Sequence, residues 1–100
     1  DACFDAIGSE FGSIDFLVHS IAFADKDWLQ VGRFTATPRE VFKEAMDISA
    51  YTYMAMANRA RPLMSNGGSM LALSYYGAEK AVPGYNVMGV AKAALEATSR

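Results

Sequence analysis

Tyr85 and Lys92 are the pair in this sequence whose types and spacing best suit chemistry. On a helix, seven positions at about 100° each come to roughly 700°, so the two side chains share a face about 10 Å apart along the axis. A lysine side chain leans toward the N-terminal end of its helix, here toward Tyr85. An ammonium beside a phenol favours the phenolate and lowers its pKa from the usual value of about 10. A tyrosine tuned in this way donates a proton, or a strong hydrogen bond, to an oxygen that gains negative charge during reaction. Such a pair also arises by chance, and Lys92 is within reach of Glu96 one turn on, in the weaker orientation. Lys92 nonetheless interrupts the small, apolar run Val90-Ala91-Lys92-Ala93-Ala94-Leu95, and a lysine on an apolar face wants a reason.

The elements that must position this pair follow from periodicity. Phe4, Ile7 and Phe11 fall on one helical face and Gly12 supplies a stop, so residues 1–12 read as helix. Residues 14–18 form a short apolar run that suits a strand buried on both faces. Periodicity fails over residues 24–37, a long loop anchored by Trp28, Leu29 and Phe34. Thr37-Pro38-Arg39-Glu40 predicts a helix start with Thr37 as N-cap, Pro38 at the first helical position and Glu40 closing a capping box. That helix runs toward Pro62 and loses all charge over residues 51–57, which implies enclosure by its own protein or by another subunit. Residues 69–73 read as a second buried strand, 74–83 as a loop and 84–98 as a helix rich in small residues. Alternation of helix and strand implies an α/β fold with parallel strands and right-handed crossovers. Ligands of such sheets bind beyond the carboxyl ends of the strands, here residues 19–24 and 74–77.

Composition narrows the function. In 100 residues, nine basic against eleven acidic side chains give a net charge of −2, which argues against a nucleic-acid partner held by a basic surface. No apolar run approaches the roughly 20 residues that cross a bilayer, so no membrane role is expected. A single cysteine, Cys3, forms no internal disulfide and favours a reducing compartment such as the cytoplasm. No His, Cys and carboxylate cluster has metal-ligand spacing. His19, ending a strand, reads as a hydrogen-bonded structural histidine, and Trp28 as the anchor of its loop. The start at Asp1-Ala2-Cys3 reads as a cut from something longer. Two parallel strands with open edges are not expected to be stable alone.

The stretch Tyr85-Asn86-Val87-Met88-Gly89-Val90-Ala91-Lys92 is the Tyr-x6-Lys motif of the divergent short-chain dehydrogenase/reductases. Together with residues 17–24 (LVHSIAFA), Leu73-Ser74-Tyr75 and residues 77–86 (GAEKAVPGYN), it resembles the NADH-dependent enoyl-[acyl-carrier-protein] reductases of type II fatty-acid synthesis. Ordinary members of that superfamily have Tyr-x3-Lys and an Asn-Asn-Ala-Gly run where this chain has His19-Ser20-Ile21-Ala22. They also place an asparagine where Asp47 falls, and a serine where Tyr75 stands.

The resemblance implies a Rossmann-like doubly wound parallel sheet with helices on both faces, residues 1–100 being the central part of one reductase domain. The Gly-rich pyrophosphate turn, absent here, belongs in that family to an earlier segment, and a later segment folds over the substrate. It implies that Tyr85 hydrogen-bonds the thioester carbonyl oxygen and stabilises the enolate as hydride reaches the β-carbon. Lys92 then holds the nicotinamide ribose hydroxyls, and Tyr75 sits across the substrate pocket as a second proton-handling residue. Ser20, Ile21 and Ala22 line NADH, Ala24 offers main-chain contact near the substrate, and Phe23 and Met88 wall the acyl chain. The implied substrate is an enoyl group linked to acyl carrier protein, and the implied assembly is a homotetramer joined through the helices over residues 38–65 and 84–100. A carbonyl reductase of the same superfamily and a non-catalytic Rossmann-fold binding protein are the alternatives.

Overall fold

A computed structural model describes residues 1–100. Helix α1 (Ala2–Phe11) leads to strand β1 (Phe16–His19). A loop with two short 3-10 turns then enters α2 (Arg39–Met46), which passes through a π-helical turn, Asp47–Tyr51, into α3 (Thr52–Ala60). Strand β2 (Ser69–Ala72) and a second loop precede α4 (Val87–Ser99). The two strands are parallel neighbours, pairing Phe16 with Ser69, Leu17 with Met70, Val18 with Leu71 and His19 with Ala72. The α/β order with parallel strands is therefore the one the periodicity indicates.

Local chemistry explains most boundaries. The Asp1 carboxylate caps α1 by accepting from the Cys3 and Phe4 amides at 3.1 and 3.3 Å. Gly12 ends it with φ 76°, a conformation that suits glycine. The capping box expected at Thr37 does not form. The Thr37 hydroxyl instead donates to the Phe34 carbonyl at 2.6 Å, and Pro38 becomes the extended residue before α2. The last helix begins at Val87 and not at residue 84, because Asn86 takes φ 48° and ψ −125°, which no helix contains.

The sheet has one covered and one open face. His19, Met70 and Ala72 turn toward α3 and α4, where Ala50, Tyr53 and Leu95 form a buried cluster. On the opposite face Phe16, Val18, Leu71 and Leu73 are about half exposed, so the expected burial on both faces is met on one within these residues. A second cluster, Ala45, Val87 and Ala91, joins α2 to α4 and takes in Ala24 and Leu29 from the loop after β1. A radius of gyration of 15.7 Å exceeds the roughly 13 Å of a compact 100-residue domain, in keeping with the open apolar face.

Entry into β2 depends on a close backbone approach. Gly68 lies so near Asp15 that a β-carbon there would overlap the Asp15 carbonyl oxygen, which accepts from the Ser69 amide at 3.1 Å. Gly68→Ala in the full-length protein is expected to lose about 1–3 kcal/mol of stability, read as a lower urea midpoint; an unchanged midpoint would contradict this packing.

Candidate active site

The sheet ladder ends where the site begins. Alternate residues exchange hydrogen bonds up to the Leu73 amide, which donates to the His19 carbonyl at 3.0 Å. In this register the next bond would join the Ile21 amide to the Leu73 carbonyl. That carbonyl instead accepts from Lys92 Nζ at 2.9 Å. The strands part at this point, and the backbone groups of Ser20, Ile21 and Ala22 make no hydrogen bond within the chain.

Lys92 is buried, with 7% of its surface exposed, and the alternative pairing with Glu96 is not made; the Glu96 carboxylate accepts from the Ser74 hydroxyl. Burial lowers the lysine from its ordinary value of 10.5. An ammonium has three donors, so the Leu73 carbonyl leaves two for a ligand.

Tyr85 sits in the turn before α4, with its amide bonded to the Val82 carbonyl and its carbonyl accepting from the Met88 amide, both at 3.0 Å. Its ring lies against the backbone of Gly77, where a β-carbon would overlap it; a β-carbon on Gly89 would stand 2.9 Å from the Gly77 carbonyl oxygen and 3.6 Å from the ring. The two glycines thus make the slot in which the ring rests. Tyr75 faces it, with ring centroids 4.8 Å apart and planes inclined at 56°. The expected lowering of the Tyr85 phenol by Lys92 is not found. Burial first, and the facing Tyr75 second, raise it above 10.0. A phenol so placed keeps its proton at neutral pH and acts as a hydrogen-bond donor.

Two further side chains shape the site from the first crossover. The π-helical turn presents the fully buried Ser49, whose hydroxyl accepts from the Phe23 amide at 3.0 Å and faces the Phe23 carbonyl at 3.1 Å. It also lies 3.9 Å from the Met88 sulfur. Asp47, where the asparagine of ordinary superfamily members was expected to fall, is exposed. Thr52 donates to the Ile48 carbonyl at 2.6 Å and lies 2.7 Å from His19 Nε2. With the hydroxyl hydrogen so used, Nε2 carries the imidazole proton, and the buried Nδ1 has no partner. His19 is therefore the structural histidine expected.

Of the residues singled out from sequence, Tyr75 and Tyr85 are brought face to face, and Lys92 bonds the Leu73 carbonyl at the end of β2. Met88 and Phe23 meet at Ser49, and Ala24 packs against the α2–α4 cluster. Ser20, Ile21 and Ala22 lie exposed on the strand end. Ser49, Gly77 and Asn86 were not picked out. A serine just ahead of the uncharged part of a long helix and an asparagine directly after the tyrosine were the available signals. An open groove of about 540 Å³ runs beside Tyr85, between Val31 and Phe34 of one loop and residues 77–86 of the other, with Val90 and Ala93 of α4 beneath.

Parallel strands that separate over a buried lysine and a pair of tyrosines define an α/β protein of the Rossmann-like class. The sequence profile described as enoyl-(acyl carrier protein) reductase matches residues 1–100, and the chain belongs to that family. It is 58% identical over 100 residues to enoyl-[acyl-carrier-protein] reductase [NADH] 1 of Rhizobium meliloti (strain 1021), covering all of this chain and 36% of the relative. The crystal structure of the Anaplasma phagocytophilum reductase in complex with NAD superposes with a TM-score of 0.94 at 55% identity, covering 97% of this chain and 37% of that one. The Bacillus cereus reductase, solved with NADP+ and indole naphthyridinone, superposes with a TM-score of 0.94 at 48% identity, covering 97% and 37%. The chain thus spans little more than a third of the length of these relatives, and its fold class is theirs.

His19 makes stability depend on pH. Burial, and then the Lys92 ammonium, hold its pKa below the ordinary 6.5, so the unfolded chain binds more protons between the two values. The contribution is complete above 6.5 and is lost as the pH falls from there toward the folded value. Urea midpoints of the full-length protein and its His19→Gln variant, measured from pH 7.5 to 5.5, are expected to converge on acidification; a constant gap would contradict the assignment.

Proposed function

We propose that the protein containing this chain is an NADH-dependent enoyl-[acyl-carrier-protein] reductase that saturates a trans-2-enoyl thioester in type II fatty-acid synthesis. The single observation carrying this reading is the Tyr85 phenol held in its Gly77–Gly89 slot against Tyr75, just before the helix whose buried Lys92 keeps two unused donors. Family membership supports it, as do a relative described as NADH-specific and a relative solved with NAD.

The residues present fit a nicotinamide dinucleotide. The unpaired backbone of Ser20, Ile21 and Ala22 offers donors and acceptors beyond the strand end, and the two remaining Lys92 donors suit the ribose hydroxyls. NADH, when bound, supplies the hydride that reaches the substrate β-carbon. The Tyr85 hydroxyl donates to the thioester carbonyl oxygen and stabilises the negative charge that gathers there. Tyr75 closes the opposite side of the pocket and takes part in proton handling. Phe23 and Met88 wall the acyl chain, and Ala24 gives main-chain contact near the substrate. Proton delivery to the α-carbon completes the saturated thioester.

Acyl carrier protein is the proposed carrier of the substrate, and a homotetramer the proposed assembly. The exposed Tyr51 and Met54 on the first crossover and the exposed Ala93 and Ala97 on α4 support that assembly through the two helical segments. No helix is long and apolar enough to cross a membrane, and the proposed location is the cytoplasm.

Full-length protein is expected to oxidise NADH with crotonyl-CoA; turnover of a ketone in its place would point to a carbonyl reductase, and binding without turnover to a non-catalytic protein. Tyr85→Phe is expected to lower kcat by about 10²–10³-fold, the usual effect of deleting one oxyanion donor, with NADH affinity nearly unchanged. Lys92→Ala is expected to weaken NADH binding by about 10-fold or more, from the loss of charge-assisted hydrogen bonds. Equal loss of NADH binding in both variants would contradict this division of roles.

A further inference from the structure

Asn86 is the only non-glycine residue with positive φ in the chain, at φ 48° and ψ −125°. These are the angles of the first central residue of a type II′ turn, a position that favours glycine. The turn is closed by the Met88 amide on the Tyr85 carbonyl at 3.0 Å. An asparagine in a glycine position implies work for its side chain, and the structure shows that work. Asn86 Nδ2 donates to the Trp28 carbonyl at 2.7 Å and to the Gln30 carbonyl at 2.8 Å. Both acceptors are carbonyls, so only the NH₂ end of the amide satisfies them, and both of its hydrogens are used.

The loop that Asn86 grips is itself fixed. The Arg33 guanidinium stacks 4.2 Å over the Trp28 ring and donates to the Asp27 carbonyl at 2.8 Å. Leu29 and Ala24 pack against the Ala45, Val87 and Ala91 cluster. On the other side of Tyr85, Gly84 lies against the same loop, a β-carbon there standing 3.6 Å from the Leu29 carbonyl oxygen. Tyr85 is therefore held through the residues on both sides of it, while its ring leans on Gly77.

We propose that Asn86 is a positioning residue for Tyr85, its two carboxamide hydrogen bonds to the Trp28 and Gln30 carbonyls fixing where the phenol stands relative to the Ala24 loop. It touches neither substrate nor cofactor and acts only through Tyr85. This inference rests on the reading of Tyr85 as the residue that meets the substrate oxygen.

The test uses full-length protein and two variants. Asn86→Gly suits the turn and deletes both hydrogen bonds, whereas Asn86→Asp keeps the size and sets a carboxylate against two carbonyls. Steady-state kinetics with NADH and crotonyl-CoA are read beside the stoichiometry of NADH binding and the ¹³Cζ resonance of Tyr85, assigned by its loss in Tyr85→Phe. Asn86→Gly is expected to lower kcat about 10-fold or more, since misplacement by about 1 Å costs up to about 10²-fold. KM for NADH and the binding stoichiometry stay within about twofold, and the Tyr85 resonance moves while that of the distant Tyr53 does not. Asn86→Asp is expected to lose at least as much; should it fail to fold, Asn86→Gly alone decides. A kcat within twofold of the unsubstituted protein overturns the proposal, as does a fall in kcat that only tracks lost binding stoichiometry. If the unsubstituted protein reduces no enoyl thioester, the proposed function fails, and the Tyr85 resonance then judges the clamp: displaced supports it, unmoved overturns it.

Discussion

Two parallel strands hydrogen-bonded in register tend to continue pairing, and a site between them exists only where something ends that pairing. Here the Leu73 carbonyl, next in line for the ladder, is taken by the buried ammonium of Lys92 at 2.9 Å. The same contact accounts for the lysine's presence on an apolar helix face: a buried cation needs an acceptor, and the sheet supplies one. It leaves the residue 20–22 backbone unpaired beyond β1 and two lysine donors unspent beside it. The proposed binding surface is thus made of the bonds that the fold leaves open.

Around that opening the chain spends its unusual features on holding a few atoms still. Glycine at 77 and 89 lets the Tyr85 ring and the Gly77 carbonyl approach as close as they do. The π-helical turn rotates Ser49 inward, where one hydroxyl meets both backbone groups of Phe23. A π-turn within an α-helix often marks a functional position, and its use here is to fix a loop end that the ladder has released. Asn86 does the equivalent for the other loop. Each device is a long-range contact, which is why the pocket is shaped although half its walls are irregular.

What could be read from the residues alone is what local chemistry determines. Periodicity located both strands to within two residues, Gly12 marked a helix end, and the small apolar run around Lys92 flagged that lysine as out of place. Spacing against Lys92 led to Tyr85 and resemblance to the enoyl reductases to Tyr75, and the fold brings the two rings to 4.8 Å. The failures share a cause. Thr37 had a local alternative for its hydroxyl three residues back, and the competition between the two is not visible in spacing. Counting Tyr85 as helical missed the turn at Asn86, because its partners Trp28 and Gln30 lie more than fifty residues away. The expected influence of Lys92 on the Tyr85 phenol assumed from helix spacing that the ammonium reaches it, whereas Lys92 is drawn to the Leu73 carbonyl and burial and Tyr75 govern the phenol.

In the proposed reaction the Tyr85 hydroxyl meets the substrate carbonyl oxygen, while Lys92 Nζ stays on the Leu73 carbonyl and offers its two remaining donors. The most direct measurement is a crystal structure of the full-length protein with NAD+ and a saturated acyl thioester. The account predicts Tyr85 Oη within hydrogen-bond distance of the thioester oxygen, with Lys92 Nζ bonded to both the Leu73 carbonyl and a ribose hydroxyl. A thioester oxygen bound elsewhere, or a Lys92 detached from Leu73 in the complex, would contradict it.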